Sequence, residues 1–322
     1  MVYQFEFRPY QLQFKRSLVT NHGIWSNRDG IILRLTNETG TGWGEIAPIS
    51  WFGSETLEQA LDFCRQIPGK ISDEMIFSVP NELPACQFGL ESAAWGVSKG
   101  YTTPHSLAYS GLLPAGEAAI EVWQTLWQQG YSTFKWKIGV HDIQEELGIF
   151  ELLTHTLPAS AKLRLDANGG LKLQEAHLWL WTCDQANAND ELPLEVEFLE
   201  QPLSVDQFQE MLELSSCYGT AIALDESVAT LNQLAACVQK GWRGIFVIKP
   251  GIVGSPSRLR QFVQQHNIDA VFSSVFETAI GRQAALQLAA ELSRRNRAVG
   301  FGINHFFVQH EESWLKNLWE KL

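Results

Sequence analysis

The stretch Phe134-Lys135-Trp136-Lys137-Ile138-Gly139 alternates charged and apolar residues, which is the pattern of a β-strand. Because successive strand residues face opposite sides, Lys135 and Lys137 share one face and the apolar side chains share the other. Two neighbouring ammonium groups in a half-buried strand repel each other and lose hydration, and both effects lower a lysine pKa toward that of a general base. Lysines also occur on solvated edge strands, so the stretch alone leaves both interpretations open.

Outward from this stretch, short apolar segments that end in a polar residue alternate with amphipathic helices. The polar residues recur at intervals of 24 to 34 residues, at Lys137, Asp166, Glu200, Asp225, Lys249 and Ser273. A strand-helix-strand unit takes about 30 residues, so each unit supplies one such side chain. A closed barrel gathers all its strand ends at one mouth, whereas an open doubly wound sheet places its site at one switch point. The sequence therefore predicts an α/β protein with a modified (β/α) TIM-type barrel over residues 101–304.

Residues 1–100 lack the regular alternation of short strands and helices, and their pattern of strands followed by helices predicts a separate α+β unit. Strand signals cover 3–14, 30–36 and 42–46, and the glycines of the last segment indicate a close approach between backbones. Helices are predicted after an N-cap at Ser54 and over residues 86–97.

Two segments of this unit allow alternatives. The polar, glycine-rich segment 20–30 is typical either of a mobile lid or of a plain hairpin connection. Trp51 and Phe52 lie in a turn, where they form either part of the core or the wall of a pocket.

Bulk composition narrows the class of partner. The chain of 322 residues has 24 Lys plus Arg against 36 Asp plus Glu, a net charge of −12 that argues against nucleic acid and anionic membrane surfaces. Five widely spread cysteines without a C-x-x-C pair indicate reduced, buried thiols. The first residues alternate as a strand does, so we expect no secretion signal, and we expect no stretch to cross a bilayer. A cytoplasmic protein with a small-molecule or metal partner is expected.

Three acids close three successive apolar strands, at Asp166, Glu200 and Asp225. One acid at such a position could serve as a helix N-cap, but three in a row indicate a site at the barrel mouth. Converging carboxylates repel each other unless a cation lies among them, and an all-oxygen set suits Mg²⁺ or Mn²⁺. Lys249 ends the next apolar strand, so Lys137 and Lys249 are expected to approach a metal-bound carboxylate substrate from opposite sides.

That arrangement suits proton abstraction next to a carboxylate. The carbon acid is too weak for a lysine unless a divalent cation stabilises the resulting enediolate. Lys135 beside Lys137, together with Arg164 on the neighbouring strand, is expected to lower the pKa of the base.

The ordered set of strand-end lysines and acids resembles that of the enolase superfamily, muconate-lactonizing-type subgroup. Five further motifs are Gly42-Trp43-Gly44-Glu45-Ile46-Ala47-Pro48, Ser54-Glu55-Thr56, Arg164-Leu165-Asp166-Ala167-Asn168, Phe198-Leu199-Glu200-Gln201-Pro202 and Phe272-Ser273-Ser274-Val275-Phe276-Glu277-Thr278. In these motifs the sequence is most similar to the o-succinylbenzoate synthase family of this superfamily.

The resemblance implies an N-terminal capping domain, residues 1–100, completed by residues 305–322 and lying over the catalytic barrel. It also implies dehydration of 2-succinyl-6-hydroxy-2,4-cyclohexadiene-1-carboxylate to 2-succinylbenzoate, a step toward menaquinone or phylloquinone. Asp166, Glu200 and Asp225 would bind Mg²⁺. Lys137 would remove the α-proton and protonate the departing hydroxyl, and Lys249 would stabilise the enediolate from the other face or act as proton acceptor.

By the same resemblance, Lys135, Arg164 and Asn168 would support this site, and Ser273 and Ser274 would lie near the substrate. The segment around these serines is more apolar than the family pattern, at Phe272, Val275 and Phe276.

The same acids and lysines would also serve an N-acylamino acid racemase or dipeptide epimerase of the superfamily, with the lysines as paired bases. A barrel that only binds, without catalysis, is the other alternative, but it has no use for five ionisable groups whose burial costs desolvation energy.

Overall fold

The computed structural model describes residues 1–20, 23–101, 107–192, 194–302, 307–309 and 311–320. The N-terminal unit contains an antiparallel sheet with strand order β3-β2-β1-β4 and three helices. Its strands are β1 (Val2–Thr20), β2 (Gly23–Asn37), β3 (Gly40–Ile46) and β4 (Lys70–Ser72). Its helices are α1 (Leu57–Gln66), α2 (Asp73–Phe77) and α3 (Pro84–Lys99). The sequence did not predict β4 and α2, which are both very short.

The strand β3 lies directly on α3, as its glycines predicted. A Cβ atom at Gly42 would lie 2.0 Å from the carbonyl oxygen of Ala93, and one at Gly44 would lie 2.0 Å from that of Gly89. Any side chain at either glycine would therefore force the sheet and the helix apart.

Of the two interpretations of residues 20–30, the structure favours the hairpin. Strands β1 and β2 pair up to Thr20 and Gly23, with a bulge between Gln13 and Leu18, so residues 23–30 form a strand and not a loop. Asn21 and His22 lie outside the described residues. The polar composition could not decide between the two alternatives, because an extended hairpin has its backbone groups paired and tolerates polar side chains on its solvated face.

The predicted N-cap at Ser54 is also wrong. The N-cap of α1 is Thr56, which forms a capping box with Gln59, and the Ser54 hydroxyl accepts the backbone N–H of Ile49 at 2.7 Å. Of the five cysteines, Cys217 is exposed and the other four are buried.

The second unit is a parallel barrel whose seven strands follow each other in chain order. These are β5 (Ser110–Leu113), β6 (Thr133–Lys137), β7 (Lys162–Asp166), β8 (Glu195–Glu200), β9 (Ile222–Leu224), β10 (Ile245–Ile248) and β11 (Asp269–Phe272). The helices are α4 (Ala118–Gln128), α5 (Ile143–Thr156), α6 (Leu173–Ala188), α7 (Phe208–Cys217), α8 (Leu231–Gln239), α9 (Pro250–Val253), α10 (Pro256–His266) and α11 (Ala279–Leu292).

Two residues beyond α11 close the barrel. Val299 bridges Tyr109 and Gly300 bridges Ser273, both in parallel, so the chain at 299–300 fills the eighth position between β11 and β5. In this circle of eight positions, β6 and β10 lie opposite each other, with β7, β8 and β9 between them on one side.

The apolar residues divide into an outer and an inner layer. Strand residues such as Trp136 and Leu165 pack outward against the helices. A smaller inner cluster that includes Phe198 and Val271 fills the barrel interior. Residues one position from these outward side chains therefore face the barrel axis.

The C-terminal helix α12 (Glu311–Glu320) lies against the N-terminal sheet. Trp314 contacts Tyr10 edge to face with ring centroids 5.2 Å apart, and Trp319 contacts Trp43 at 4.8 Å. Part of the predicted C-terminal segment, residues 305, 306, 310, 321 and 322, lies outside the described residues. Among the described helices, none has both the length and the apolarity to span a membrane.

Candidate active site

Three buried carboxylates meet at the carboxyl ends of neighbouring strands. Asp166 ends β7 and Glu200 ends β8, and the two residues are paired in register. Asp225 directly follows β9, the next strand. The three residues are only 7%, 2% and 4% exposed, respectively. The strand-end pattern thus brings together the three acids that the sequence singled out.

Two lysines lie among these acids. Lys135 Nζ is 2.8 Å from Asp166 Oδ2 and 2.7 Å from Glu200 Oε1. Lys249 Nζ pairs with Asp225 Oδ1 and lies 4.0 Å from the ring centroid of Phe52. Because Lys249 follows β10 and Lys135 is on β6, the two ammonium groups reach the carboxylates from opposite sides of the barrel.

The pKa of Lys135 does not follow the sequence-based expectation. Burial lowers it, but the charges of Asp166, Glu200 and Asp225 outweigh burial and raise the pKa above that of a free lysine. The sequence argument considered only the neighbouring lysine and not the acids on the adjacent strands, which favour the charged form of Lys135.

For the pKa of Glu200, burial outweighs the attraction of the neighbouring charges. Its burial, followed by repulsion from Asp166, outweighs the attraction of Lys135 and raises its pKa to about 8. Burial thus disfavours the charged form of Glu200, and only two lysines pair with the three acids, so the charges of the acids are not fully neutralised.

This donor set fits a divalent cation in its chemistry. Within the described residues, no three His, Cys, Asp or Glu side chains are grouped in a metal-binding arrangement. Instead, Lys135 and Lys249 hold the oxygens of Asp166, Glu200 and Asp225 in ion pairs. Three buried carboxylates are the oxygen ligands that Mg²⁺ prefers, and their incomplete neutralisation leaves room for further positive charge.

A fourth carboxylate, which the sequence analysis missed, lies beside the three. Glu226 Oε1 accepts a hydrogen bond from Asn168 Nδ2 at 3.1 Å, and its Oε2 is buried without a partner among the described residues. Burial and then the charges of Asp225 and Asp166 raise its pKa to about 7. In a continuous strand, Asp225 and Glu226 would face opposite sides, but β9 ends at Leu224 and a 3₁₀ turn brings both to the mouth. The signal in the sequence is that Asp225 and Glu226 stand side by side directly after the apolar residues of a short strand.

A cavity of about 410 Å³ opens above the acids, between the barrel mouth and the N-terminal unit. Polar residues form its floor: Lys135, Lys137, Asp166, Asn168, Asp225, Glu226 and Lys249. Ser273 and Ser274, which the resemblance placed near a substrate, line one side of this cavity. Trp51 and Phe52 also line the cavity, so this pair forms a pocket wall.

The apolar residues around the serines have different positions. Val275 and Phe276 line the cavity, whereas Phe272 is fully buried against the outer layer of the barrel. Trp25, from the β1–β2 hairpin, packs edge to face on Trp51 and on Phe276, with centroids 5.1 Å and 5.5 Å away. The hairpin thus joins the upper wall of the cavity.

Arg164, expected to act on the lysines, has its charge balanced elsewhere. Its Nε lies 2.6 Å from Glu197 Oε2 and its Nη1 donates to the carbonyl oxygen of Ala298 at 2.8 Å. The residue is two positions before Asp166 on the same face of β7, so it lies deeper in the barrel than the cavity floor.

The comparisons with known proteins agree with this architecture. Residues 3–97 match the family model described as MenC, N-terminal domain, and residues 118–318 match the one described as enolase C-terminal domain-like. The o-succinylbenzoate synthase of Thermosynechococcus vestitus is 39% identical over 99% of both chains. That of Yersinia enterocolitica is 32% identical over 87% of this chain and 84% of the relative.

Solved structures support the same assignment. The crystal structure of o-succinylbenzoate synthase from Thermosynechococcus elongatus, complexed with Mg in the active site, has a TM-score of 0.89 at 38% identity and covers 99% of this chain and all of that one. The L-Ala-D/L-Glu epimerase of Bacillus subtilis has a TM-score of 0.78 at 20% identity, covering 96% and 91% of the two chains, which shows the shared fold alone. The predicted capped TIM-type barrel is confirmed, and the chain belongs to the o-succinylbenzoate synthase family of the enolase superfamily.

Proposed function

We propose that this protein catalyses the Mg²⁺-dependent dehydration of 2-succinyl-6-hydroxy-2,4-cyclohexadiene-1-carboxylate to 2-succinylbenzoate, in a pathway to menaquinone or phylloquinone. One observation carries the proposal: Lys137 and Lys249 line one cavity from opposite sides of the barrel, and the carboxylates lie on the strands between them. One lysine can thus approach each of the two faces of a flat substrate.

Lys137 is the proposed general base and general acid. It lines the cavity and makes no ion pair within the part of the chain that the structure describes, whereas Lys135, two residues earlier, is held by two acids. The neutral amine takes the proton from the carbon next to the substrate carboxylate. The resulting ammonium group returns this proton to the hydroxyl on the same face, the carbon–oxygen bond breaks, and water leaves while the ring becomes aromatic.

Lys249 is the proposed electrostatic partner on the other face. Its contact with Asp225 and with the ring of Phe52 holds the ammonium group at the cavity floor. A fixed cation at this position stabilises the negative charge that the substrate carboxylate gains as the α-proton leaves. The same placement would also let Lys249 accept a proton in a racemase.

Asp166, Glu200 and Asp225 would hold Mg²⁺, with Mn²⁺ as a substitute. When bound, the ion would supply positive charge beside the substrate carboxylate and so make the neighbouring hydrogen more acidic. Lys135 and Asn168 would support this arrangement, Lys135 through its pairs with two of the acids and Asn168 through Glu226. Ser273 and Ser274 would contact the rest of the substrate.

We further propose that residues 1–100 with residues 305–322 act as the capping unit over a catalytic unit of residues 101–304. The contacts of α12 with β1 and β3 support this division. Aromatisation makes the reaction strongly favourable, so the cap has to exclude water and hold the ring more than it has to supply driving force.

Direct turnover tests the proposal. The purified protein with Mg²⁺ should convert the cyclohexadiene acid to 2-succinylbenzoate, and EDTA should stop the conversion until Mg²⁺ is restored. In parallel, N-succinyl amino acids in deuterated water report the racemase alternative. Rapid α-deuterium exchange of these amino acids with no conversion of the cyclohexadiene acid would replace the synthase proposal by the racemase one.

A further inference from the structure

The segment after β11 forms a continuous piece of the cavity wall. Ser273, Ser274, Val275 and Phe276 all line the cavity. Glu277, the next residue, is only 4% exposed and lies behind this wall. Nothing in the reaction described above uses Glu277, although it is a buried ionisable group at the edge of the site.

Glu277 is bonded to the wall residues themselves. Its Oε2 accepts the hydroxyl proton of Ser274 at 2.9 Å and the backbone N–H of Val275 at 2.6 Å. The Ser274 oxygen in turn accepts the backbone N–H of Phe276 at 2.9 Å. One carboxylate oxygen therefore fixes the direction of the Ser274 hydroxyl and, through it, the backbone at Phe276.

The backbone at Phe276 needs such support. Its φ of 59° lies in the left-handed region, which a bulky side chain adopts only when its surroundings enforce it. This conformation turns the ring toward Trp25, whose centroid is 5.5 Å away, and so joins the barrel wall to the hairpin of the cap.

The cap holds the same segment from the other side. Arg28 Nε donates to the carbonyl oxygen of Val275 at 3.1 Å, and Glu45 accepts the backbone N–H of Thr278 at 3.0 Å. The backbone on both sides of Glu277, at Val275 and Thr278, is therefore held in place by the N-terminal unit. Its second oxygen, Oε1, is buried without a hydrogen-bond partner among the described residues, which costs desolvation energy.

We propose that Glu277 is a positioning residue, which sets the Ser274 hydroxyl and the Phe276 ring against the substrate by bonding Ser274 and Val275 from behind the wall. The inference rests on the proposed function, because it assigns these two wall residues to substrate binding. Glu277 itself touches no reacting atom.

Two substitutions at this position separate the hydrogen bonds from the charge. Glu277→Gln keeps an oxygen that can accept both hydrogen bonds, so KM for the cyclohexadiene acid should stay within about twofold of the wild-type value. Glu277→Met has a similar size but no acceptor, so KM should rise about tenfold, in line with the cost of a small misplacement, while kcat falls less.

The chain offers a matched control for a loss of stability alone. Glu91 is a buried glutamate that accepts a serine hydroxyl, from Ser255, and a backbone N–H, from Ser257 at 2.9 Å, but it lies away from the active-site cavity. Glu91→Met should lower the melting temperature and leave KM unchanged. If Glu277→Met behaves in the same way, with a lower melting temperature and wild-type KM, the positioning role is overturned.

A double-mutant cycle tests whether Glu277 acts through Ser274. Ser274→Ala alone should raise KM, and Glu277→Met should add little in that background, whereas fully additive effects would contradict the proposed route. If Glu277→Met does not fold, Ser274→Ala decides: a raised KM supports the inference and an unchanged KM overturns it. In each case the wild-type protein must turn over in the same assay; its failure to do so would overturn the proposed function along with this inference.

Discussion

Two clusters of buried charge lie in the same barrel. One lies at the mouth, where it forms the bottom of the cavity, and the other lies deeper, at the floor of the barrel itself. The mouth cluster consists of Lys135, Asp166, Glu200, Asp225 and Lys249. The floor cluster consists of Arg164, Glu197, Asp269 and Arg297. In the floor cluster, Arg297 joins Glu197 at 2.5 Å and Asp269 at 2.7 Å, and Arg164 holds the other oxygen of Glu197 at 2.6 Å. Both clusters consist of ion pairs with short contacts and little exposure.

The clusters differ in charge balance. The floor cluster matches two acids with two largely buried arginines, and the exposed Arg295 adds a third positive charge 3.3 Å from Asp269. Burial by itself would raise the pKa of Glu197, but Arg164 and Arg297 outweigh it and lower the pKa below the ordinary value. The mouth cluster has three acids against two lysines, and the pKa of Glu200 is raised to about 8. Buried charge alone therefore does not identify a site; incompletely neutralised carboxylates beside a cavity do.

The largest expected effect separates activity from stability at the mouth. Lys137→Ala removes the proposed base and acid together, so kcat should fall by about 10³-fold or more, because each such role contributes on the order of 10² to 10⁴. Thermal unfolding should stay close to that of the wild type, since Lys137 has no ion pair within the described residues. Wild-type-like turnover by this variant would remove Lys137 from the mechanism.

The next effect concerns metal affinity. Asp225→Asn takes one charge from the mouth and should weaken Mg²⁺ binding by more than about 100-fold, because loss of even a group behind a metal ligand costs 10-fold to 100-fold. Isothermal titration calorimetry measures this change. Asp269→Asn, a matched change in the floor cluster, should leave the Mg²⁺ titration unaltered; equal effects of both variants would show that the two clusters do not differ in this respect.

In the floor cluster, a substitution is expected to lower stability and to leave activity nearly unchanged. Arg297→Met leaves Glu197 and Asp269 buried with less compensation, and breaking a buried pair in this way should cost about 3 kcal/mol of unfolding free energy. Turnover per folded molecule should stay within about threefold of the wild-type rate. Urea denaturation and steady-state kinetics on the same preparation provide both values. A variant with normal stability and low kcat would assign the floor cluster to catalysis.

The smallest effect is a pH dependence of stability in metal-free protein. The pKa of Glu200 is raised to about 8 and that of Glu226 to about 7, both above the value of an unfolded glutamate. Folding therefore takes up protons, and the resulting stability is complete below about pH 4.5 and is lost as the pH rises through 7 and 8. The unfolding free energy of the metal-free protein should therefore fall from pH 6 to pH 9, which urea denaturation at each pH would measure.

Saturating Mg²⁺ should oppose this loss, because it binds the ionised carboxylates and stabilises the folded protein more at pH 9 than at pH 6. Glu226→Gln provides the control and should flatten part of the metal-free profile. A stability that rises from pH 6 to pH 9 without metal would contradict the charge balance inferred for the mouth.

The barrel and most of the site could be predicted because both follow from a regular spacing. Strands of fixed length that repeat about every 30 residues place one residue each at the mouth, so Asp166, Glu200 and Lys249 could be identified by counting. The cap was harder. The N-cap at Thr56 was missed in favour of Ser54, although Gln59 three residues after Thr56 completes a capping-box pattern.

Contacts between distant parts of the chain could not be predicted from local patterns. The pair Arg164–Glu197 joins the floor because a bulge in β8 turns Glu197 inward. Glu45, seen in the sequence only as part of a strand, accepts backbone N–H groups at the start of α11, more than 200 residues away. Such contacts depend on how the cap sits on the barrel, which no spacing within either unit encodes.

A crystal structure of the protein soaked with Mn²⁺ and measured for anomalous scattering would decide whether Asp166, Glu200 and Asp225 jointly bind one divalent cation. We expect a single strong peak at the barrel mouth, within about 2.0–2.3 Å of an oxygen of each acid. A map at saturating Mn²⁺ with no peak at the barrel mouth would contradict the joint binding of one cation by these three acids.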